Sequence, residues 1–172
     1  MYNKQIERIL DYLTKRDDYV IFAGFASFLH TGIEASLDVD AFFSSKDKVK
    51  EVSDDFKDLG WKLTKEDQGE RYMVKTMEEN DTTFDICYSD TSSRIFLPKK
   101  ISIAYEGRNL YTLSPECMLL SKLSQLTSLN RTEYKTGRDR NTIKLLREMI
   151  DAQKMRELVQ EMPYHFWQTG HF

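Results

Sequence analysis

The sequence predicts an α+β fold: a mixed, twisted sheet of five or six strands with helices against it, then a helical C-terminal section. Two observations carry this expectation. Short, bulky, strand-like runs recur between residues 19 and 112, bounded by Gly, Asp or polar turns, with helical apolar stripes before and between them. From Ser114 the strand-like runs stop and only helical spacing follows. The division is therefore a core over 1–113 and a helical section over 114–172 packed on it.

Residues 3–16 read as an amphipathic helix, because Ile6, Ile9, Leu10 and Leu13 fall on one face. Residues 19–23 are too short and too bulky a run for a helix and read as a buried strand. A short helix over 25–31 is ended by Gly32, and a strand over 38–43 begins with Asp38-Val39-Asp40. Val49, Val52, Phe56 and Leu59 stripe a helix over 46–59, with Gly60 as its stop. Residues 61–64 are a short strand candidate, 65–69 a polar turn, and 71–77 a strand by alternation. A hairpin turn over 78–81 leads to a strand over 82–88, and 89–93 read as a loop. Strands over 101–105 and 110–112 flank a second hairpin.

In the helical section, Ser114 is an N-cap with Pro115 in the first turn. Leu120, Leu123 and Leu126 space this helix to about residue 129, and 130–137 read as a mobile polar connection. Ile143, Leu146 and Met149 define a helix over 138–150. Met155, Leu158, Val159 and Met162 define another over 153–162, which Pro163 stops. The aromatic tail over 164–172 either packs back on the body or covers a partner.

Composition narrows the function classes. The chain has 172 residues, 40% hydrophobic and 31% charged, which suits one globular core rather than a disordered tail. A net charge of −3 gives no global attraction to nucleic acid, although Lys135, Arg138, Arg140, Lys144 and Arg147 form a local basic cluster. No apolar run approaches the roughly 18 residues of a membrane span, and the N-terminus carries no secretory apolar region, so no membrane partner is expected. Cys87 and Cys117 lack zinc-site spacing and read as buried thiols, consistent with a cytoplasmic, reducing location. His30, just before the Gly32 turn, reads as structural.

The chemistry concentrates in residues 19–43. On a strand, Asp38 and Asp40 point to the same face with Cα atoms roughly 6.5–7 Å apart. Converging carboxylates at that spacing suit a hard divalent cation, Mg²⁺ or Mn²⁺. Asp85 is a third carboxylate set into an apolar run, Phe84-Asp85-Ile86, where an unpaired charge is costly. If the two strands are neighbours, the three acids form one cluster whose repulsion a cation relieves. Ahead of the acidic pair, the Gly24 turn opens a helix whose free N–H groups and dipole favour phosphate, with the Ser27 hydroxyl in its first turn. Metal ligands beside a phosphate cradle make a nucleoside triphosphate site.

These residues resemble the motif of the nucleotidyltransferase superfamily, the fold shared by DNA polymerase beta and kanamycin nucleotidyltransferase. That motif is a hydrophobic residue, Gly, Gly or Ser, a spacer of about a dozen residues, Asp-x-Asp or Asp-x-Glu, and a later carboxylate. Here Ala23-Gly24 stands in the glycine position, thirteen residues separate Gly24 from Asp38, and Asp85 stands as the later acid. The likeness is greatest to small bacterial, archaeal and toxin–antitoxin-associated members. It continues through Ser114-Pro115-Glu116-Cys117-Met118-Leu119-Leu120-Ser121-Lys122-Leu123 and Arg138-Asp139, so that it spans about 19–150. Ala23 replaces the first Gly, Glu34 stands where Arg is usual, and Thr142 replaces a second Asp.

The resemblance implies transfer of a nucleoside monophosphate from Mg–NTP to a hydroxyl or phosphate acceptor, with release of pyrophosphate. The acceptor class stays open between RNA, protein and small molecule. Asp38 and Asp40 would hold the metal, and Asp85 would complete that site or take the acceptor's proton. Gly24 and Ser27 would cradle phosphates, and Lys122 would neutralise the triphosphate. Two other classes compete: a catalytically degenerate, antitoxin-like or regulatory binding protein of the same fold, to which Glu34 points, and a plain RNA-binding module, against which the charge speaks.

Overall fold

The computed structural model describes residues 3–33, 38–126 and 132–163. Its element order is α1 (Lys4–Leu13), β1 (Tyr19–Phe22), α2 (Ala23–Thr31), β2 (Asp38–Phe43), α3 (Lys46–Asp58), β3 (Lys62–Gln68), β4 (Tyr72–Glu79), β5 (Thr82–Ser89), β6 (Ile101–Tyr105), β7 (Arg108–Thr112), α4 (Pro115–Leu126), α5 (Glu133–Leu146) and α6 (Ala152–Glu161). A π-turn over Ser92–Phe96 and a 3₁₀ turn over Leu97–Lys99 connect β5 to β6.

The strands form one seven-stranded mixed sheet in the order β3-β4-β5-β2-β1-β7-β6. β1 and β2 pair antiparallel, while β2–β5 and β1–β7 pair parallel. The fold class is α+β, as expected, with more strands than the five or six read from the sequence. β3 starts within the short strand candidate over 61–64 and runs on to Gln68, through all but Gly69 of residues 65–69. They were expected as a polar turn, and the strand is a largely exposed edge with no apolar alternation.

Alternation sorts the central strands into two faces. Tyr19, Ile21, Val39, Ala41, Phe43, Phe84 and Ile86 are fully buried and point one way. α3 covers them, with Phe56 4.9 Å from Phe84 between ring centroids, and α1 packs beside α3 through a Tyr12–Phe56 edge contact. α1 supplies Ile6, Ile9, Leu10 and Leu13, the stripe seen in its sequence. Cys117, Met118 and Leu120 of α4 belong to the same buried cluster, so the core runs from the sheet into the helical section.

Element ends follow local chemistry. Asn3, Ser45, Thr132 and Asp151 cap α1, α3, α5 and α6 through side-chain oxygens. Gly32 ends α2 at φ +68, in the left-handed region where a Cβ is disfavoured. Asn80 and Asp81, at φ 48 and 61, make the β4–β5 hairpin turn. α5 begins five residues before the expected start, so part of the connection read as mobile is helix. Residues 89–93, expected as a loop, include the start of the π-turn.

Candidate active site

The sheet register builds the site. Asp40 of β2 lies opposite Asp85 of β5, and Asp38 lies opposite Thr83. Phe22 of β1 is the partner of Asp40 on its other side, and Thr76 of β4 is the partner of Asp85. Lys65 of β3 is the partner of Thr76. One row therefore crosses five strands on the face opposite α1 and α3: Lys65, Thr76, Asp85, Asp40, Phe22. Register puts the three sequence-predicted acids on that face, Asp38 and Asp40 by strand period and Asp85 by parallel pairing with Asp40.

Hydroxyls hold the two outer carboxylates. Thr83 Oγ1 donates to Asp38 Oδ1 at 2.8 Å, and Thr76 Oγ1 donates to Asp85 Oδ1 at 2.5 Å. Asp40 sits between them. Its carboxyl is pushed up to about 8, first by burial and then by the charges of Asp85 and Asp38, while Lys122 of α4 acts in the opposite sense. At the Asp40 end of the row, the rings of Phe22 and Phe42 stack at 3.9 Å between centroids and make an apolar wall.

The α2 N-terminus adjoins this cluster. β1 ends at Phe22, in register with Asp40, and α2 starts at the next residue. The helix thus begins two residues before the expected start, and Gly24 lies inside its first turn rather than ahead of it. The left-handed position belongs to Ala23, at φ +56. Ser27 is buried, and its hydroxyl donates to the Ala23 carbonyl at 2.8 Å. The turn therefore presents its first backbone N–H groups, including that of Gly24, beside the acids.

Lys122 is neither a surface lysine nor an isolated cation. Its ammonium donates to Asp139 Oδ1 of α5 at 2.9 Å, with 3% and 1% of the two side chains exposed. The pair ties α4 to α5 while leaving Lys122 within electrostatic reach of Asp40. His30 is structural: its Nε2 is 2.8 Å from the Leu113 carbonyl, joining α2 to the end of β7.

The donor set is all oxygen and carries surplus negative charge, which suits a hard cation. Among the described residues no group of three or more His, Cys, Asp or Glu side chains forms a ready metal-holding cluster. Mg²⁺ commonly uses one or two carboxylates and completes its shell with water and substrate phosphate, so the Asp40–Asp85 pair beside the α2 turn fits that mode.

The fold recurs in solved structures. Over 90% of this chain and 92% of its own, ANT(2'')-Ia in complex with adenylyl-2''-tobramycin superposes with a TM-score of 0.66 at 17% identity. The chain has the nucleotidyltransferase fold. The solution structure of the antibiotic-resistance factor ANT(2'')-Ia gives 0.60 at 15% identity, covering 91% of this chain and 90% of its own. An antigenic nucleotidyltransferase-like protein from Paracoccidioides brasiliensis gives 0.58 at 13%, covering 99% and 94%. No protein-family profile matches the chain, and no curated protein matches it in sequence. The likeness lies in the fold at identities too low for sequence comparison.

Four site residues were not singled out from the sequence. Thr76, Thr83 and Phe22 owe their places to register, which no local pattern reveals. Asp139 was quoted as part of a motif, without its partner. Glu34, the departure with the largest charge change, lies outside the described residues, as do residues 127–129 and the aromatic tail.

Proposed function

We propose that this protein is a nucleotidyltransferase, moving a nucleoside monophosphate from Mg²⁺–NTP to a hydroxyl or phosphate acceptor with release of pyrophosphate. The observation that carries the reading is the in-register Asp40–Asp85 pair, with Lys122 in electrostatic reach, set beside the α2 N-terminus. A packing role does not account for two carboxylates facing each other at the centre of a sheet. The fold neighbour seen with an adenylylated small molecule supports nucleotide use by the same scaffold.

Asp38 and Asp40 would hold the metal, and Asp85 would complete that site or take the acceptor's proton. A divalent cation, when bound, neutralises charge on the phosphates and polarises the phosphoryl group. Backbone N–H groups of the α2 turn, Gly24 among them, orient the phosphates. Ser27 shapes that turn through its bond to Ala23. Lys122, fixed by Asp139, adds positive potential next to Asp40. The Phe22–Phe42 wall keeps water from one side of the acids. RNA, protein and small molecules remain the acceptor classes, and the buried thiols of Cys87 and Cys117 accord with a cytoplasmic setting. Among the described residues no helix is long and apolar enough to cross a membrane.

One observation favours a binding protein of the same fold, antitoxin-like or regulatory: Lys122 is already ion-paired with Asp139 instead of being offered to a phosphate. The two readings separate in one experiment. Labelled ATP, GTP, CTP and UTP are incubated with Mg²⁺, cell extract and either wild type or Asp40→Asn. Label carried onto RNA, protein or a small molecule by wild type alone is the expected result. No Asp40-dependent transfer onto any acceptor favours the binding reading.

A further inference from the structure

The two outer acids differ from Asp40 in one respect: each is held by a threonine directly across the ladder. Thr76 and Asp85 are register partners on β4 and β5, and the Thr76 hydroxyl meets Asp85 Oδ1 at 2.5 Å. Asp85 in turn faces Asp40 on its other flank. The hydroxyl therefore engages and restrains one carboxylate oxygen from the β4 side, while the carboxyl also meets Asp40 on its other flank. A free aspartate on a strand has no such restraint, because its terminal torsion is broad. Thr76 is partly buried, and Met73 and Met77 on the opposite face of its strand are in the core.

We propose that Thr76 is a positioning residue of this site, holding the Asp85 carboxylate against Asp40 so that the pair can share a divalent cation. The inference rests on reading Asp38, Asp40 and Asp85 as a metal and nucleotide site. It adds a residue whose type, a strand-compatible threonine, is otherwise explained by β-propensity alone. The two explanations make opposite statements about valine. Valine keeps the branched shape and suits a strand, so a threonine present for the strand is replaced without loss. A threonine present for its proton is not.

Mn²⁺ binding followed by electron paramagnetic resonance tests this on the full chain, in wild type, Thr76→Val, Thr76→Ser and Asp85→Asn, with circular dichroism confirming the fold of each. Removing an orienting partner of a metal ligand weakens binding by about 10- to 100-fold. The expected pattern is a loss of that size in Thr76→Val, near wild-type affinity in Thr76→Ser, and a loss at least as large in Asp85→Asn. Unchanged affinity in Thr76→Val alongside a loss in Asp85→Asn overturns the role of Thr76 while keeping the site. Equal losses in the valine and serine variants overturn it too, since the hydroxyl is then not the cause. A wild type that binds no Mn²⁺, or an Asp85→Asn variant that binds it normally, overturns both the role and the reading beneath it.

Discussion

Asp40 and Asp85 face each other in register across the parallel β2–β5 pair, and the Asp40 carboxyl is pushed up to about 8 by burial and by the charges of Asp85 and Asp38. In the metal-free protein this concentration of like charge opposes folding. Asp40→Asn removes the cost of either charging or protonating this carboxyl, with little change of shape. It is expected to raise the stability of the metal-free protein at neutral pH by on the order of 2 kcal/mol, allowing for partial solvent access, while abolishing transfer. Urea denaturation in the presence of a chelator, paired with the labelled-nucleotide assay, measures both. A destabilised Asn variant contradicts the electrostatic account of the cluster.

A cation relieves the same repulsion. Mg²⁺ at ten times its dissociation constant should raise the thermal midpoint of the wild type by about 3–5 °C and leave Asp40→Asn nearly unmoved. Equal shifts in the two proteins would place the cation elsewhere.

Lys122 and Asp139 join α4 to α5 through a buried ion pair. Lys122→Met removes the cationic partner of the buried Asp139 carboxylate and is expected to cost about 3–5 kcal/mol, whereas the double variant Lys122→Met, Asp139→Leu recovers most of that loss. Denaturation of the two single variants, Lys122→Met and Asp139→Leu, and of the double variant supplies the cycle. Additive losses would mean that the pair does not act as a unit.

His30 is lowered from its ordinary value by burial, which outweighs its bond to the Leu113 carbonyl and the charge of Glu116. The unfolded chain then binds a proton more readily than the fold does. The His30 contribution to stability is thus present above the unfolded pKa of about 6.5 and lost as pH falls toward the lower folded value. Stability should fall between about pH 7 and pH 5, and His30→Gln should flatten that slope. An unchanged slope in the variant would assign the acid sensitivity to other groups.

Ala23 holds a left-handed backbone, φ +56, at the start of α2. Ala23→Gly should stabilise the protein by about 1 kcal/mol and Ala23→Val should destabilise it, because the left-handed region penalises a Cβ and a branched one most. Thermal midpoints of the two variants decide this. A destabilising glycine would mean that the added freedom of the unfolded chain outweighs the relief of strain.

Where the chain carries a strong period, its structure could be read directly. The α1 stripe, the bulky β1 run and the acid-led β2 run gave elements close to those observed, because burial on one face leaves a mark in sequence. β3 left no such mark. Its residues Lys62–Gln68 are held by pairing with β4 at an exposed edge, so backbone hydrogen bonds rather than side chains define it. The early turn of α5, with Glu133 and Lys135 exposed and Gly137 inside it, has no apolar stripe and depends on the Thr132 cap. At the site, residue types pointed to Asp38, Asp40 and Asp85. The Thr76 and Thr83 bonds and the Lys122–Asp139 pair depend on which strands and helices become neighbours, and spacing along one element carries no information about that.

The two halves of the acid pair are 45 residues apart in the chain and belong to strands joined by parallel pairing. A slip of one residue between β2 and β5 would send Asp85 to the opposite side of the sheet. The β4–β5 hairpin is local and can form early, whereas its docking onto β2 must close a long loop first. Electrostatic conflict thus arises only when the hairpin docks onto β2, and a conflict formed late in folding should hasten escape from the native state more than it slows arrival. Cation binding would then prolong the native lifetime, and unfolding rates measured with and without Mg²⁺ would show the site acting as a clasp on the assembled sheet.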